Sequence, residues 1–335
     1  MEDNYLTIGK VPEKLLSRWV FSAPAAERPE VLQGPGLGED CAAVELAAGE
    51  ILILSTDPIT ATEENIGYLA VHVTLNDLAA AGAAPIGLMA TILLPPNYPE
   101  SRLEQIFMEL RQTAAAQDLA ILGGHTEVTD AVSRAVVSIA GVGKIRKEKA
   151  LLHKTMQAGD SIVMTKYAGL EGTAILAKAK AAELSGRFGT DFIRRAQTLD
   201  RFLSVLPESQ TAMNCDAAGL KAMHDITEGG VLGALWELAA KADMGLEADL
   251  TAVPILRETI EISEFFDINP YKLISSGAML MIAENGGDLV EALTAAEIPA
   301  KVIGRLLPSK ERVACYAGIR QAILPPAADE IYKVL

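Results

Sequence analysis

Aromatic side chains are scarce in this 335-residue chain. They make up 5% of it, within a hydrophobic content of 50%, so any core has to be filled mainly by Ala, Leu, Val and Ile. Such small aliphatic side chains suit close packing of helices on a sheet. Cysteine is rarer still. Cys41, Cys215 and Cys315 lie far apart and form no CxxC pair, which excludes a disulfide framework or a zinc knuckle and suits a reducing cytoplasm. Positive charge is in deficit. With 29 Lys and Arg against 44 Asp and Glu, the net charge of −15 argues against nucleic acid or an anionic membrane as a general partner. An anionic substrate stays open, because a bound Mg²⁺ reverses the sign locally. No stretch approaches the ~18 consecutive apolar residues of a membrane span, so none is expected. The acidic start Met1-Glu2-Asp3-Asn4-Tyr5 lacks the order of a signal peptide. There is no GxxxxGK[ST] phosphate loop and no GxGxxG opening a helix, so a bound nucleotide needs another architecture.

What is present alternates between strand and helix patterns. Residues 1–35 read as an extension, with a short amphipathic piece at Val11–Val20 followed by a Pro/Ala-rich connection. Ile51–Ser55 reads as a strand. Thr60–Glu63 and Ser101–Glu104 carry the spacing of helix capping boxes, and Leu103, Ile106, Phe107, Leu110 and Ala114 fall on one helical face. Ile86–Leu94, Leu119–Leu122 and Ala135–Val142 read as further strands. The charged run Lys144–Lys149 marks a boundary, giving an N-terminal domain over 36–148 and a C-terminal α/β domain over 149–335. In the second half the pattern predicts helices near 190–206, 208–222, 230–242, 254–266 and 286–296. Strands are predicted at 160–165 and near 245–250, 278–283, 299–306 and 311–316.

Acids recur at the edges of apolar elements. Glu39 and Asp40 sit between a glycine-rich turn and Cys41-Ala42-Ala43-Val44; Asp57 follows a strand; Asp77 lies within an Ala- and Leu-rich helix; Glu127 follows Gly123-Gly124-His125-Thr126. Carboxylates are costly where neighbours would bury them, so a recurring set suggests one shared cation, and hard oxygen ligands point to Mg²⁺. The plainer reading is a set of turn and surface acids. Gly123 and Gly124 would let backbone N–H groups approach a phosphate, or form an ordinary turn. His224, Asp225 and Glu228, just before Gly229-Gly230, would suit acid–base or phosphate contacts at a helix entry, or a simple cap. Lys166, after the 160–165 strand, would reach a phosphate or rest on the surface.

Together the segments Gly38–Val44, Ser55-Thr56-Asp57, Asn76–Pro85, Gly123–Glu127, Gly159-Asp160 and His224–Gly230 make the chain resemble the aminoimidazole ribonucleotide synthetase-like, ATP-dependent superfamily over nearly its whole length. Its members include thiamine monophosphate kinase, selenophosphate synthetase and the carbamoyl dehydratase of hydrogenase maturation, and proteins related to that dehydratase look most similar. The resemblance implies a two-domain α/β (α+β) fold. The N-terminal sheet would pair across a homodimer into a barrel, and the C-terminal domain would hold a mixed sheet with helices. It implies ATP and Mg²⁺ as cofactors and a small-molecule or protein-bound acceptor, with Asp40, Asp57 and Asp77 matching metal-binding acids. Asn76 and Gly123–Thr126 match nucleotide-facing segments. Relatives often carry an acid where this chain has His125, so Glu127 is expected to supply the missing carboxylate, and Glu39 stands where an aspartate is common. The dehydratase works through a cysteine at its extreme C-terminus, whereas this sequence closes on Ile331-Tyr332-Lys333-Val334-Leu335, so the resemblance leaves the acceptor unassigned.

Overall fold

The computed structural model describes residues 5–21, 25–36, 41–60, 62–151 and 155–335. The chain divides into two compact units, Met1–Leu78 with Ala83–Ala150, and Ala79–Gly82 with Leu151–Leu335.

The first unit contains β1 (Gly9–Lys10), α1 (Glu13–Leu16), β2 (Val31–Gln33), β3 (Ala43–Val44), β4 (Glu50–Ile59), α2 (Ile66–Ala80), β5 (Ala84–Leu94), α3 (Glu100–Ala116), β6 (Ala120–Val128) and β7 (Val136–Arg146). Five strands form one sheet in the order β1-β6-β5-β7-β4, while β2 and β3 pair separately. Only β5 and β6 run parallel, joined through α3; the remaining pairs are antiparallel. Strand alternation gives the sheet two unlike faces. On one lie Ser55, Asp57 and their cross-strand partners Gly141 and Ile139. Here α2 packs closely: a Cβ on Gly141 would stand 2.6 Å from the Thr74 methyl, so glycine admits the helix. The other face carries Leu52 and Leu54, 44% and 64% exposed, with Met89 and Thr91. In α3 the buried residues Leu103, Ile106, Phe107, Leu110 and Ala114 follow the predicted helical spacing. Burying each large apolar side chain there contributes about 1.5–3 kcal/mol.

The second unit contains β8 (Ser161–Thr165), α4 (Leu170–Ala179), α5 (Ala181–Leu184), α6 (Thr190–Gln197), α7 (Leu206–Met213), β9 (Leu220–Asp225), α8 (Gly230–Ala242), β10 (Gly245–Asp249), α9 (Arg257–Phe265), β11 (Met279–Ala283), α10 (Gly286–Ala295), β12 (Ala300–Leu307), β13 (Arg312–Tyr316) and β14 (Ile319–Ala322). Its mixed seven-stranded sheet has the order β14-β13-β10-β12-β8-β11-β9, with β11 buried along its whole length. The helix predicted over 208–222 is a correction. The helix stops at Met213, Gly219 takes φ +60°, and Leu220–Asp225 is an edge strand paired with β11. The left-handed glycine turns the chain where an apolar count alone sees continuity.

Candidate functional site

The run Gly123-Gly124-His125-Thr126 lies within β6, beside Met89–Ile92 of β5. Alternation sends His125 to the face shared with Thr91, and Thr126 to the helix-covered face shared with Ile92. Gly124 has no room for a side chain, because a Cβ there would fall 2.0 Å from the Ala90 carbonyl oxygen. Gly123 is different: the nearest atom to an added Cβ is the Met89 methyl at 3.8 Å. The two glycines therefore leave bare backbone beside a cavity of about 450 Å³. Thr56, Thr91, His125 and Ser138 supply polar side chains to its wall, Thr126 also borders it, and Pro35, Gly36, Cys41 and Ala42 close it. That volume lies within the range of small-molecule sites.

Asp77 of α2 accepts a short hydrogen bond from the Ser55 hydroxyl of β4. Asp57 lies two residues further along the same face, about 7 Å along the strand. Both acids are half-buried, and Asn76 beside them is 1% exposed. Two hard carboxylates on one face of the sheet, one of them held by a hydroxyl, fit a Mg²⁺ ion that keeps several waters or phosphate oxygens. Among the described residues no three His, Cys, Asp or Glu side chains converge on a common point. The expected ligands Glu39 and Asp40 lie outside the described residues, but their neighbours Gly36 and Cys41 stand on the cavity wall.

In the second unit, Thr227–Gly230 links β9 to α8. Gly229 and Gly230 both take left-handed φ, +81° and +60°, and a Cβ on Gly230 would meet the Leu273 and Tyr271 carbonyl oxygens at 2.7 and 2.8 Å. The loop is held from the other side by Asp329, whose carboxylate accepts from the Gly229 N–H at 2.8 Å, and by Tyr332, whose hydroxyl donates to Glu228 at 2.8 Å. Glu171, in the first turn of α4, is 8% exposed, and one carboxyl oxygen has no hydrogen-bond partner. Burial pushes its pKa up, against bonds from Ser276 and reinforced by the charges of Asp329 and Glu228.

The sequence model of AIR synthase related proteins matches this chain twice, with the N-terminal domain over residues 38–145 and the C-terminal domain over 157–315. The chain belongs to that family. Carbamoyl dehydratase HypE of Escherichia coli K12 is 28% identical over 91% of this chain and 93% of its own. The crystal structure of E. coli HypE, a hydrogenase maturation protein, superposes with a TM-score of 0.77 at 25% identity, covering 94% of this chain and 96% of the other. A structure of hydrogenase maturation protein HypE in complex with ATP gives 0.78 at 22% identity, covering 96% and 97%.

In this AIR synthase related protein the structure groups some of the sequence candidates and separates others. Asp57 and Asp77 share a face, but Glu127 lies on the opposite one, where its carboxylate meets His125 Nε2 at 3.1 Å. It does not supply a carboxylate to the Asp57–Asp77 pair. Lys166 is 8% exposed and turns inward: its ammonium donates to the Phe202 and Ser204 carbonyl oxygens at 2.8 and 2.6 Å and lies 2.7 Å from Glu208. Two N–H bonds to carbonyl oxygens and the buried ion pair with Glu208 hold the ammonium inside the second unit, turned away from any phosphate at the surface. Burial pulls the Lys166 pKa down and pushes that of Glu208 up. His224 and Asp225, adjacent in sequence, point to opposite sides of β9. His224 Nε2 pairs with Glu237 of α8 at 2.9 Å, while Asp225 is buried and Glu228 is exposed at the loop. The three do not form one catalytic cluster. Ser55, Glu171 and Asp329 went unnoticed in the sequence; only Ser55, inside the Ser-Thr-Asp segment, carried a signal that could have found it.

Proposed function

We propose that this protein is an ATP- and Mg²⁺-dependent enzyme that uses the γ-phosphate to activate or phosphorylate a small-molecule or protein-bound acceptor, as a hydrogenase-maturation type of AIR synthase related protein. The observation that carries the reading is the bare glycine wall of the 450 Å³ cavity, flanked by Gly36 and Cys41 on either side of the acidic stretch. The Gly123 and Gly124 amides, with His125 and Thr126, would hold phosphates at the cavity; Asp57 and Asp77 face the other side of the sheet, next to the cavity-wall residue Thr56 on the edge strand β4, and with Glu39 and Asp40 would hold Mg²⁺ across that edge. When bound, Mg²⁺ would offset the charge of the transferring phosphoryl group. Ser55 fixes the Asp77 carboxylate through its hydroxyl, and Asn76 lies buried beneath. Asp225 and Glu228 remain the candidates for handling the acceptor.

A second copy of the chain is the partner that fits the open face of the first sheet, since Leu52 and Leu54 stand exposed on its edge strand.

Asp57→Asn should weaken Mg²⁺-dependent ATP binding at least ~10-fold, or about 1.4 kcal/mol, by titration calorimetry. ATP should also shield the exposed Cys41 thiol, on the cavity wall, from alkylation. Unchanged affinity in the variant together with unshielded Cys41 would remove the reading. Phosphate appearing on an added metabolite would favour a small-molecule kinase over activation of a carbonyl or amide oxygen.

A further inference from the structure

The Thr227–Gly230 loop is gripped by a segment about a hundred residues away in sequence. Asp329 is 2% exposed, and its two oxygens do different work. Oδ2 accepts from the Gly229 N–H at 2.8 Å, and Oδ1 accepts from Ile331 N at 2.9 Å, closing the segment's own turn. Pro326 lies where a Cβ on Gly229 would come within 3.3 Å of it. Ile331 is buried in the cluster built from Leu176, Ile193, Ile262 and Leu273. Glu330 accepts from Asn269 N at 3.2 Å and from the Lys333 ammonium at 2.7 Å. The segment is thus anchored on both sides of the loop.

Tyr332 differs from these anchors. It is 58% exposed, so it adds little buried surface, yet its hydroxyl is committed to Glu228. A tyrosine that packs little and donates one bond to one acid aims that acid. Beneath them, Glu171 offers a sealed, unpartnered carboxyl oxygen near Asp329 and Glu228. In its protonated form it adds no second charge beside Asp329.

We propose that Pro326–Leu335 is a latch that fixes the Thr227–Gly230 loop, with Asp329 and Tyr332 acting as positioning residues for Glu228. The consequence for chemistry rests on the reading of Glu228 as an acceptor-side residue; the latch itself does not. Hydrogen–deuterium exchange on the full chain separates the two. Asp329→Ala should speed exchange of the Gly229 and Gly230 amides at least ~10-fold, while the β11 amides stay protected. Tyr332→Phe, at an exposed site that leaves folding intact, should loosen 331–335. The same change made on a Glu228→Ala background, which removes the acceptor, should add less than its effect alone. Wild-type exchange at Gly229 and Gly230 in Asp329→Ala, or fully additive effects of Tyr332→Phe and Glu228→Ala, would overturn the latch. Mg²⁺–ATP turnover is the separate readout. Tyr332→Phe should lower kcat ~10-fold with the KM for ATP unchanged. Altered exchange with an unaltered kcat would support the latch and sink the role of Glu228 in the reaction.

Discussion

Two glycine pairs invite comparison, Gly123-Gly124 in the first unit and Gly229-Gly230 in the second. Both follow or lie within a strand, and both read in sequence as phosphate-binding turns. In the structure the first pair is split and the second is not. Gly123 leaves open space beside a cavity, whereas Gly124 is pressed on the Ala90 carbonyl and Gly229-Gly230 is packed against the 271–273 backbone and Pro326 and roofed by Asp329. A missing side chain can make room for a ligand or for the protein itself. What decides is whether the position of the absent Cβ is empty or full.

The sharpest way to break this contrast is to put the methyl groups back. Gly124→Ala and Gly230→Ala would press a Cβ against carbonyl oxygens at 2.0 and 2.7 Å, and each should cost about 1–3 kcal/mol or more in a thermal melt. Gly123→Ala meets nothing closer than 3.8 Å, so its cost should stay near 1 kcal/mol while ATP affinity falls. Equal melting temperatures for all three would erase the distinction.

The next test concerns surface left open against surface covered. Leu54→Glu places a charge on the exposed face of the first sheet and should weaken self-association at least ~10-fold in sedimentation velocity, with the fold retained by circular dichroism. An unchanged sedimentation profile would remove this face as a self-association surface.

The smallest effect compares how each covering segment is held. Residues 28–33 lead to Pro35 and Gly36 at the cavity, and they are tied down by Arg28–Glu30 at 3.2 Å and Lys144–Glu30 at 3.1 Å. The Arg28 guanidinium, with Lys144, holds the Glu30 carboxyl down at about 2. Because the folded value lies below the unfolded one, this contribution is present above 4.5 and is lost as pH falls toward about 2. Asp329 has the opposite sign. Burial raises its pKa against its N–H bonds, so its share is fullest in acid and declines as pH rises through that raised value. Glu30→Gln should therefore flatten the acid limb of the melting profile, by roughly 2–4 °C for each kcal/mol removed. An acid limb identical to wild type would detach Glu30 from the stability of the first unit.

Periodicity was a good guide where a single face decides. The buried stripe of α3 could be read directly. Asp57 and the Gly123–Glu127 run read as following strands that end at Ser55 and Leu122, whereas both lie inside longer strands, β4 and β6, because glycine and a Ser-Thr-Asp-Pro stretch continue an extended ladder that their turn preference conceals. Partnership across distance could not be read. Ser55 links Asp77 to the neighbourhood of Asp57 only because α2 crosses over β4, which no spacing records. Lys166 looked like a phosphate ligand at the end of a strand, but its partner Glu208 comes from a different helix, and its φ of +49° is invisible in the residue name. Sequence neighbours mislead for the converse reason: His224 and Asp225 are adjacent, and an extended strand sends adjacent side chains apart. The same two-residue period divides Glu127 from Asp57.

Pro58 of β4 has one more effect. The strand is ten residues long and lies at the sheet edge, with leucines outward, the kind of edge on which chains stack without limit. A proline has no N–H to give, so a strand arriving from outside meets a gap in the donor row near its end. The molecule thus carries a stop against runaway sheet growth beside the acid it needs most, and Pro58→Val would trade solubility during synthesis for a longer ladder.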